Sequence, residues 1–334
     1  MSEREPNIKI PVDLTNPGQF FACCGLLELA GRLWPGAEGW FESGQFSIVG
    51  PTECSLPALF VKIADSTVEN TMSPAQNAKL EELPSLIKEK REATSLLEDK
   101  KKELESLSSE EVTTAQNAIL QELPALIKEH RRVTLMFEDE KKELDSLRRE
   151  LPIVLAGSTE IRVDWFCDDI AGGSRFKTWA GQQSVLAITT AMHSAINVLR
   201  SNSGDSIWQN VRRIGLPFNF DSDLGGQGSA LDIGFSFDPL AGSEATRIEG
   251  TCRPWLELLA FIGLQRFRPM EIKGQNRFLF AAWHIPLEPS VAAACACRCI
   301  ETGGESIYEF PLLYRTKYLK SFLPAIPFQG DEDE

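Results

Sequence analysis

The sequence predicts an α+β protein, a mixed globular body into which an antiparallel helical hairpin is inserted. Two observations support this fold class. Short runs with the two-residue alternation of strands occur among longer apolar stretches with helical spacing, both before and after the middle of the chain. The middle itself is a tandem repeat, in which residues 75–107 align with residues 115–147 at an offset of forty. With 334 residues, of which 43% are hydrophobic, the chain can bury a substantial core.

Residues 1–70 predict the N-terminal part of the body, in the order strand, helix, strand, strand, helix. Residues 8–12 have the alternation of a short strand. The Asn-Pro pair at Asn16 supplies a helix cap and a first-turn proline, and the apolar helix that follows should end at Pro35. Two short apolar runs around a Ser-Gly turn in residues 39–49 predict a hairpin.

Residues 71–150 predict the helical hairpin. Each copy of the repeat places residues at alternating steps of four and three, the period of a coiled coil, with polar interruptions. Residues 108–114 separate the copies, and Pro84 and Pro124 should begin or kink the long helices. The hairpin is interpreted as a docking arm for a neighbouring subunit, as a spacer, or as a solvated helical insert; the pattern leaves these open.

Residues 151–328 predict the C-terminal part of the body, and residues 329–334 form an acidic tail with the composition of disorder. Helices are expected at 184–199 and 255–264. Strands are expected at residues 160–166, 229–237, 278–286 and 292–300. The last of these strands would place Cys295, Cys297 and Cys299 on one face. That arrangement favours core packing over a zinc site, because zinc ligands converge from different directions.

Composition limits the compartment. Eight cysteines in so long a chain do not suit a disulfide framework, so we expect reduced thiols, with Cys23 and Cys24 in the core. No run of eighteen apolar residues occurs, and the charged N-terminal segment lacks an apolar signal core. We therefore expect a cytoplasmic protein without membrane contact.

The charge balance predicts a protein that does not bind nucleic acid alone. The formal net charge is −14, whereas proteins that dock alone on DNA usually have a basic surface. Residues 262–280 nevertheless carry four basic residues, among them Arg266 and Arg268, against the single acid Glu271. Such an island suits a subunit held mainly by protein partners, with one face on nucleic acid. Arginines that are solvated or paired with carboxylates are the alternative.

The most specific chemistry lies between residues 162 and 183. There the sequence joins a strand to a helix through a glycine-containing turn crowded with cationic, aromatic and amide side chains: Arg175, Lys177, Trp179, Gln182 and Gln183. Cations hold phosphates, an indole stacks on a base, and glutamine reads base edges. The loop therefore favours nucleic-acid contact. A buried tryptophan flanked by solvated charges is the alternative.

Three stretches resemble a known family. IPVDLTNPGQFFACCGLLELAGRLWP at residues 10–35 and RVDWFCD with FKTWAGQQ at residues 162–183 resemble the Csb-type proteins of subtype I-U (also called I-G) CRISPR–Cas systems. These are grouped with the Cas-eight large subunits of Cascade. RPWLELLAFIGLQRFRP at residues 253–269 is a looser match. Together the stretches cover about a fifth of the chain, and none falls in the repeat.

The resemblance implies a non-catalytic large subunit of an RNA-guided surveillance complex. Such subunits help to recognise the motif adjacent to the target DNA, open the duplex and recruit the helicase–nuclease. The implied partners are the other Cascade subunits, the CRISPR guide RNA, double-stranded target DNA and the helicase–nuclease, with no cofactor. Within the N-terminal matched stretch, Asn16 and Gln19 are weaker candidates for nucleic-acid contact.

Catalysis finds little support in the motifs, and we expect no enzyme activity. The sequence has three histidines and no HExxH, G-x-S-x-G or phosphate-binding GxxxxGK[ST] motif. The rival hypothesis is a divergent metal-dependent nuclease with Asp164, Asp168 and Asp169 as ligands, which Asp221 and Asp223 could join. A third hypothesis is a scaffold whose coiled-coil arm is its function.

Overall fold

A computed structural model describes most of the chain. The described residues are 5–70, 74–106, 114–149, 153–158, 160–163, 176, 185–198, 209–214, 218–224, 250–315 and 318–329. The chain divides into two compact units. One, called the body here, comprises residues 1–70 and 152–334, and the other comprises residues 71–151.

The described elements mix helix and strand, which confirms the α+β class. The helices are α1 (Pro17–Leu33), α2 (Leu56–Ala64), α3 (Pro74–Ser106), α4 (Thr114–Arg149), α5 (Val185–Val198), the single turn α6 (Ser222–Leu224), α7 (Pro254–Leu264) and α8 (Pro289–Ala296). The strands are β1 (Ile8–Pro11), β2 (Glu38–Glu42), β3 (Gln45–Val49), β4 (Thr67–Asn70), β5 (Ile153–Ala156), β6 (Ile161–Arg162), β7 (Arg212–Ile214), β8 (Gly250–Cys252), β9 (Met270–Glu271), β10 (Arg277–Ala282), β11 (Ser306–Arg315), β12 (Tyr318–Phe322) and β13 (Ile326–Pro327). Within them, no helix is long and apolar enough to cross a bilayer.

Helix α1 lies at the centre of the body. Asn16 caps it by accepting a hydrogen bond from the Gln19 N–H, and Pro17 occupies its first turn, so the predicted start is confirmed. Residues 17–30 are all buried. A helix that is apolar on every side is expected to be enclosed by other elements. Burial also raises the pKa of the Cys23 and Cys24 thiols, as expected of cysteines that pack as small apolar side chains.

Helix α7 is the closest neighbour of α1 and is buried along its whole length. The two helices approach at glycines. A Cβ atom on Gly263 would lie 2.0 Å from the Phe21 carbonyl oxygen, and one on Gly25 would lie 2.0 Å from the Leu259 carbonyl oxygen. Only glycine permits this separation, because any side chain would occupy space already filled by the facing backbone.

Two sheets of the body are linked through the segment that follows β10. The first sheet has the order β1-β3-β2, and the second has the order β12-β11-β10-β9, with β13 also paired to β11. Beyond the end of β10, the Trp283 carbonyl oxygen accepts from the Phe41 N–H at 2.9 Å, and Leu287 exchanges both backbone bonds with Gly39. The predicted hairpin at residues 39–49 is confirmed as β2 and β3, which pair antiparallel.

Phenylalanines from distant parts of the chain fill the space between α1 and these sheets. Phe20 stacks on Phe280 with 4.1 Å between ring centroids, and Phe21 meets Phe322 edge to face. Phe176 is buried and packs against the same group through Phe278 and Phe322. Offset and edge-on aromatic pairs stabilise a core beyond the area they bury.

The second unit begins and ends at one hairpin of the body. Strands β4 and β5 pair antiparallel in the sheet β4-β5-β6, and the Cα atoms of Asn70 and Ile153 are ladder partners. The chain therefore leaves the body at one strand and re-enters at the adjacent position of the next strand.

Helices α3 and α4 make up the described part of this unit and run antiparallel. Lys90 contacts Glu140, and Glu98 Oε1 lies 3.9 Å from His130 Nε2, so residue numbers rise along one helix as they fall along the other. Pro84 and Pro124 lie inside these helices rather than at their starts. Coiled-coil packing between the helices stays a prediction.

One predicted strand is wrong. Residues 292–300 were expected to be extended, but Pro289–Ala296 form helix α8. Proline at the first position and four alanines favour a helix, and this outweighs the two-residue spacing of the cysteines. Cys295 is therefore buried while Cys299 is exposed. The helices predicted at 184–199 and 255–264 are confirmed as α5 and α7, whereas the strand predicted at 229–237 lies outside the described residues.

Candidate nucleic-acid interface

The loop that carries the strongest sequence signal lies mostly outside the described residues. Arg175, Lys177, Trp179, Gln182 and Gln183 all fall there, as do Asp164, Asp168 and Asp169. Phe176 is described, and its ring lies 4.8 Å from that of Phe278 between centroids. The FKTWAGQQ stretch is thus anchored in the aromatic core of the body at its first residue.

Asn16 is an internal brace, which corrects the expectation that it contacts nucleic acid directly. Gln19 also bonds within the body but lines a cleft, so its contact with nucleic acid stays a prediction. Asn16 is fully buried; its amide nitrogen donates to Asp221 Oδ1 at 2.8 Å, and its oxygen accepts from the Ser222 N–H. The side-chain oxygen Oε1 of Gln19 accepts from the Asp13 N–H at 3.0 Å, and the residue is 8% exposed. Both side chains fix the loops around the start of α1.

Asp221 is the centre of this network. It is fully buried and receives Arg253 in a bidentate pair, with Nε at 2.6 Å from Oδ2 and Nη2 at 2.8 Å from Oδ1. The same Nη2 donates to Asp223 Oδ2 at 2.6 Å. Both carboxylates, which the rival hypothesis named as possible metal ligands, therefore bind an arginine. Such a pair joins the loop before α6 to the start of α7.

Glu257 completes the buried network. Its two carboxyl oxygens accept from the backbone N–H groups of Phe220 and Asp221, both at 3.1 Å. Burial, reinforced by the nearby Asp221 carboxylate, raises the pKa of Glu257 to about 8, against the opposing effect of the two N–H donors and Arg253. This carboxyl group therefore titrates near neutral pH.

A cleft of about 590 Å³ borders the network, with Gln19, Asp223 and Arg253 among its lining residues and Val12 and Val211 on its apolar side. Asp13 also faces it. Because Arg253 is already matched by two carboxylates, the polar side of the cleft is acidic. Such a cleft favours a group with hydrogen-bond donors over a phosphate.

Arg266 and Arg268 lie on the turn that follows α7. The residue between them, Phe267, is buried and stacks on Trp283 at 6.1 Å. Arg266 is 43% exposed, and its Nε lies 2.8 Å from Glu28 Oε2. Arg268 is half-buried, and its backbone N–H bonds the Cys297 thiol. The turn thus presents two arginines at the surface, beside a buried ring.

Arg32 shares the acid that Arg266 contacts. Its Nε donates to Glu28 Oε1 at 2.6 Å, and its Nη1 donates to the Glu160 carbonyl oxygen at 2.7 Å. Glu28 is 3% exposed, while Arg32 is 38% exposed. We call Arg32, Glu28 and Arg266 the Glu28 clasp. Sequence reasoning missed Arg32, although its position four residues after Glu28 on a helix was a visible signal.

A serine and a histidine also meet in the body, but not as a nucleophile and its base. His193 Nε2 lies 3.0 Å from the Ile63 carbonyl oxygen and 3.3 Å from Ser66 Oγ. A carbonyl can only accept, so Nε2 carries the proton, and Ser66 Oγ itself donates to Ile63 at 2.6 Å. The pair therefore stabilises the end of α2 against α5.

Comparison with known protein families, curated proteins and solved structures finds no match to this chain.

Proposed function

We propose that this protein is the non-catalytic large subunit of a type I CRISPR RNA-guided surveillance complex, of the subtype I-U (I-G) kind. In that role it helps to recognise the motif adjacent to the target DNA, to open the duplex and to recruit the helicase–nuclease. The proposal rests first on the sequence resemblance of residues 10–35 and 162–183 to that family.

One structural observation supports treating the three stretches as a single signal. Residues from all three meet in one core. Gly25 of the first stretch faces Gly263 of the third across the contact of α1 and α7. Phe176 of the second packs on Phe322, which also contacts Phe21. Stretches that resemble one family and also pack together are more readily explained by a shared fold than by three separate coincidences.

The loop at residues 175–183 is the proposed DNA-reading element. Lys177 and Arg175 hold backbone phosphate, and Trp179, Gln182 or Gln183 touches a base beside the target. Loss of Lys177 should weaken all targets about equally and reduce the salt dependence by about one unit. Loss of a glutamine that reads a base should cost roughly 1–3 kcal/mol and relax the preference at one position.

Helices α3 and α4 form the proposed coiled-coil arm, and its role is docking to another subunit. Their sequences carry mixed charge with a slight excess of acids, which suits a protein partner better than a phosphate backbone.

The deciding experiment is co-expression of a tagged chain with its neighbouring genes and a guide array, followed by affinity purification. We expect guide RNA and the other subunits to co-elute with the tag. The matched control omits the array. A chain that elutes alone in both cases contradicts the proposal.

The metal-dependent nuclease is the rival from another class. Its candidate ligands Asp164, Asp168 and Asp169 need no help from Asp221 or Asp223, which bind Arg253. Purified protein incubated with labelled DNA and magnesium or manganese separates the two hypotheses. Cleavage that Asp168→Asn abolishes would favour the nuclease.

A further inference from the structure

We infer that the Glu28 clasp is a contact site for a phosphodiester backbone on the surface of the body. The inference rests on the proposed function and adds to it a second phosphate-binding position, separate in sequence from the 175–183 loop. Its ligand is the charged backbone of a nucleic acid, from either the guide RNA or the target DNA.

The clasp holds two guanidinium groups in place with one carboxylate. Glu28 is 3% exposed, on the side of α1 that meets the turn after α7. Its two oxygens lie 2.6 Å from Arg32 Nε and 2.8 Å from Arg266 Nε. Each arginine is therefore held beside Glu28 through its Nε, and Arg32 is held a second time through its Nη1, which donates to the Glu160 carbonyl oxygen. A fixed guanidinium loses less conformational entropy when it binds than a mobile one does.

The charge of the clasp does not cancel. Two arginines against one carboxylate leave a net charge of +1. A guanidinium has five N–H donors; the hydrogen bonds found among the described residues use two on Arg32, and Arg266 meets Glu28 as an ion pair. With 43% and 38% exposure, the other donors can reach a ligand from solvent. Phosphate oxygens match such paired, charged donors in geometry and in charge.

Two other arginines in the body lack this combination. Arg253 is 14% exposed and is matched by Asp221 and Asp223. Arg277 is as exposed as the clasp arginines, at 48%, but it pairs one to one with the buried Glu309. The Arg277–Glu309 pair offers a matched control, because it is also an exposed arginine held by a buried acid, but the pair has no net charge.

The test compares two variants in the complex purified with its guide RNA. The first is Glu28→Gln/Arg32→Gln/Arg266→Gln, which removes both cations without leaving a buried carboxylate unpaired. The control is Arg277→Gln/Glu309→Gln. Melting of each purified variant confirms folding, and the single variant Arg266→Gln is added in case the triple variant does not fold. Guide RNA per complex and affinity for the target duplex are measured over a range of salt concentrations.

The expected result is a loss confined to the clasp variant. Target affinity should fall about tenfold or more near 0.15 M salt, because bonds to charged groups are lost. The logarithmic salt slope should fall by about two units, one for each phosphate contact. Retained guide RNA with lost target binding assigns the contact to target DNA, whereas a reduced guide content assigns it to the guide RNA.

Two results would contradict different claims, one the inference about the clasp and the other the proposed function. If clasp variants retain guide RNA, target affinity and salt slope as the parent does, the clasp is a structural ion pair and the inference is wrong. If the parent chain itself fails to assemble with guide RNA, the proposed function is wrong.

Discussion

A single methyl group at Gly263 should separate the two central helices of the body. The Cβ atom of Gly263→Ala would lie 2.0 Å from the Phe21 carbonyl oxygen and 2.8 Å from the Gly25 nitrogen. Relief of that overlap requires a separation of about 1 Å or more, since non-bonded heavy atoms prefer roughly 3.5–4 Å. Neither backbone can yield alone, because α7 and residues 17–30 of α1 are buried throughout.

The expected cost is large for one methyl group. Overpacking a core costs about 1–3 kcal/mol and sometimes more, and contact with backbone atoms favours the upper end. Alanine has a higher helix propensity than glycine, and this offsets roughly 1 kcal/mol of the overpacking cost. A net loss of about 2 kcal/mol would lower the melting temperature of a domain this size by about 4–8 °C. The control is Gly274→Ala, where a Cβ meets open space and the positive φ of 77° costs about 1 kcal/mol.

Thermal and urea denaturation of the purified variants measure these losses. The double variant Gly25→Ala/Gly263→Ala should cost less than the sum of the two single variants, since helices already separated leave space for the second methyl group. Gly263→Ala protein that melts at or above the parent temperature would refute the close helix contact.

The remaining predictions concern the insert and the buried charges. Replacement of residues 71–152 by a short turn should leave a folded body, because the flanking strands β4 and β5 pair with each other. Circular dichroism should show the loss of α3 and α4, which hold more than half of the helical residues in the described part. The spectrum of an unfolded chain would contradict the independence of the two units. The folded chain holds a proton on Glu257 up to about pH 8, whereas an unfolded glutamate releases it above about pH 4.3, so stability should fall from about pH 5 to pH 8. Glu257→Gln should remove that part of the fall, and equal pH dependence in parent and variant would contradict it. Asp221→Ala should lower the free energy of unfolding by about 3 kcal/mol or more, because it leaves the half-buried Arg253 poorly paired. Asp223→Ala should lower it by less than about 1 kcal/mol, because the Asp223 side chain is 47% exposed. Equal losses of stability in denaturation experiments would disprove this ranking.

Features set by neighbouring residues were accessible from the sequence. The cap at Asn16, the hairpin at residues 39–49 and the apolar helix α7 follow from capping, turn chemistry and apolar spacing within a few residues. The predicted strand at residues 292–300 failed within the same range, because a cysteine period of two was weighed above alanine content and a first-turn proline.

Contacts between distant residues were not accessible. Asn16 meets Asp221 across 205 positions, and no local pattern indicates that partner. Arg266 was predicted to face nucleic acid from its charge alone, but its pairing with Glu28 depends on how α7 packs along α1. Asn16 shows the same limit in reverse: its place in the family-like stretch suggested a contact with nucleic acid, whereas long-range packing buries it.

The most direct test of the central claim is target binding by complexes purified with and without this chain. Both preparations would carry the same guide RNA and face a duplex that contains the matching target and its adjacent motif. Binding is followed by filter retention, and duplex opening by a fluorescent base analogue next to the motif. The complex that contains the chain should bind and open the duplex, while the complex without it should bind at least about tenfold more weakly and leave the duplex closed. Equal binding and opening by both preparations would contradict the assignment of this chain as the large subunit.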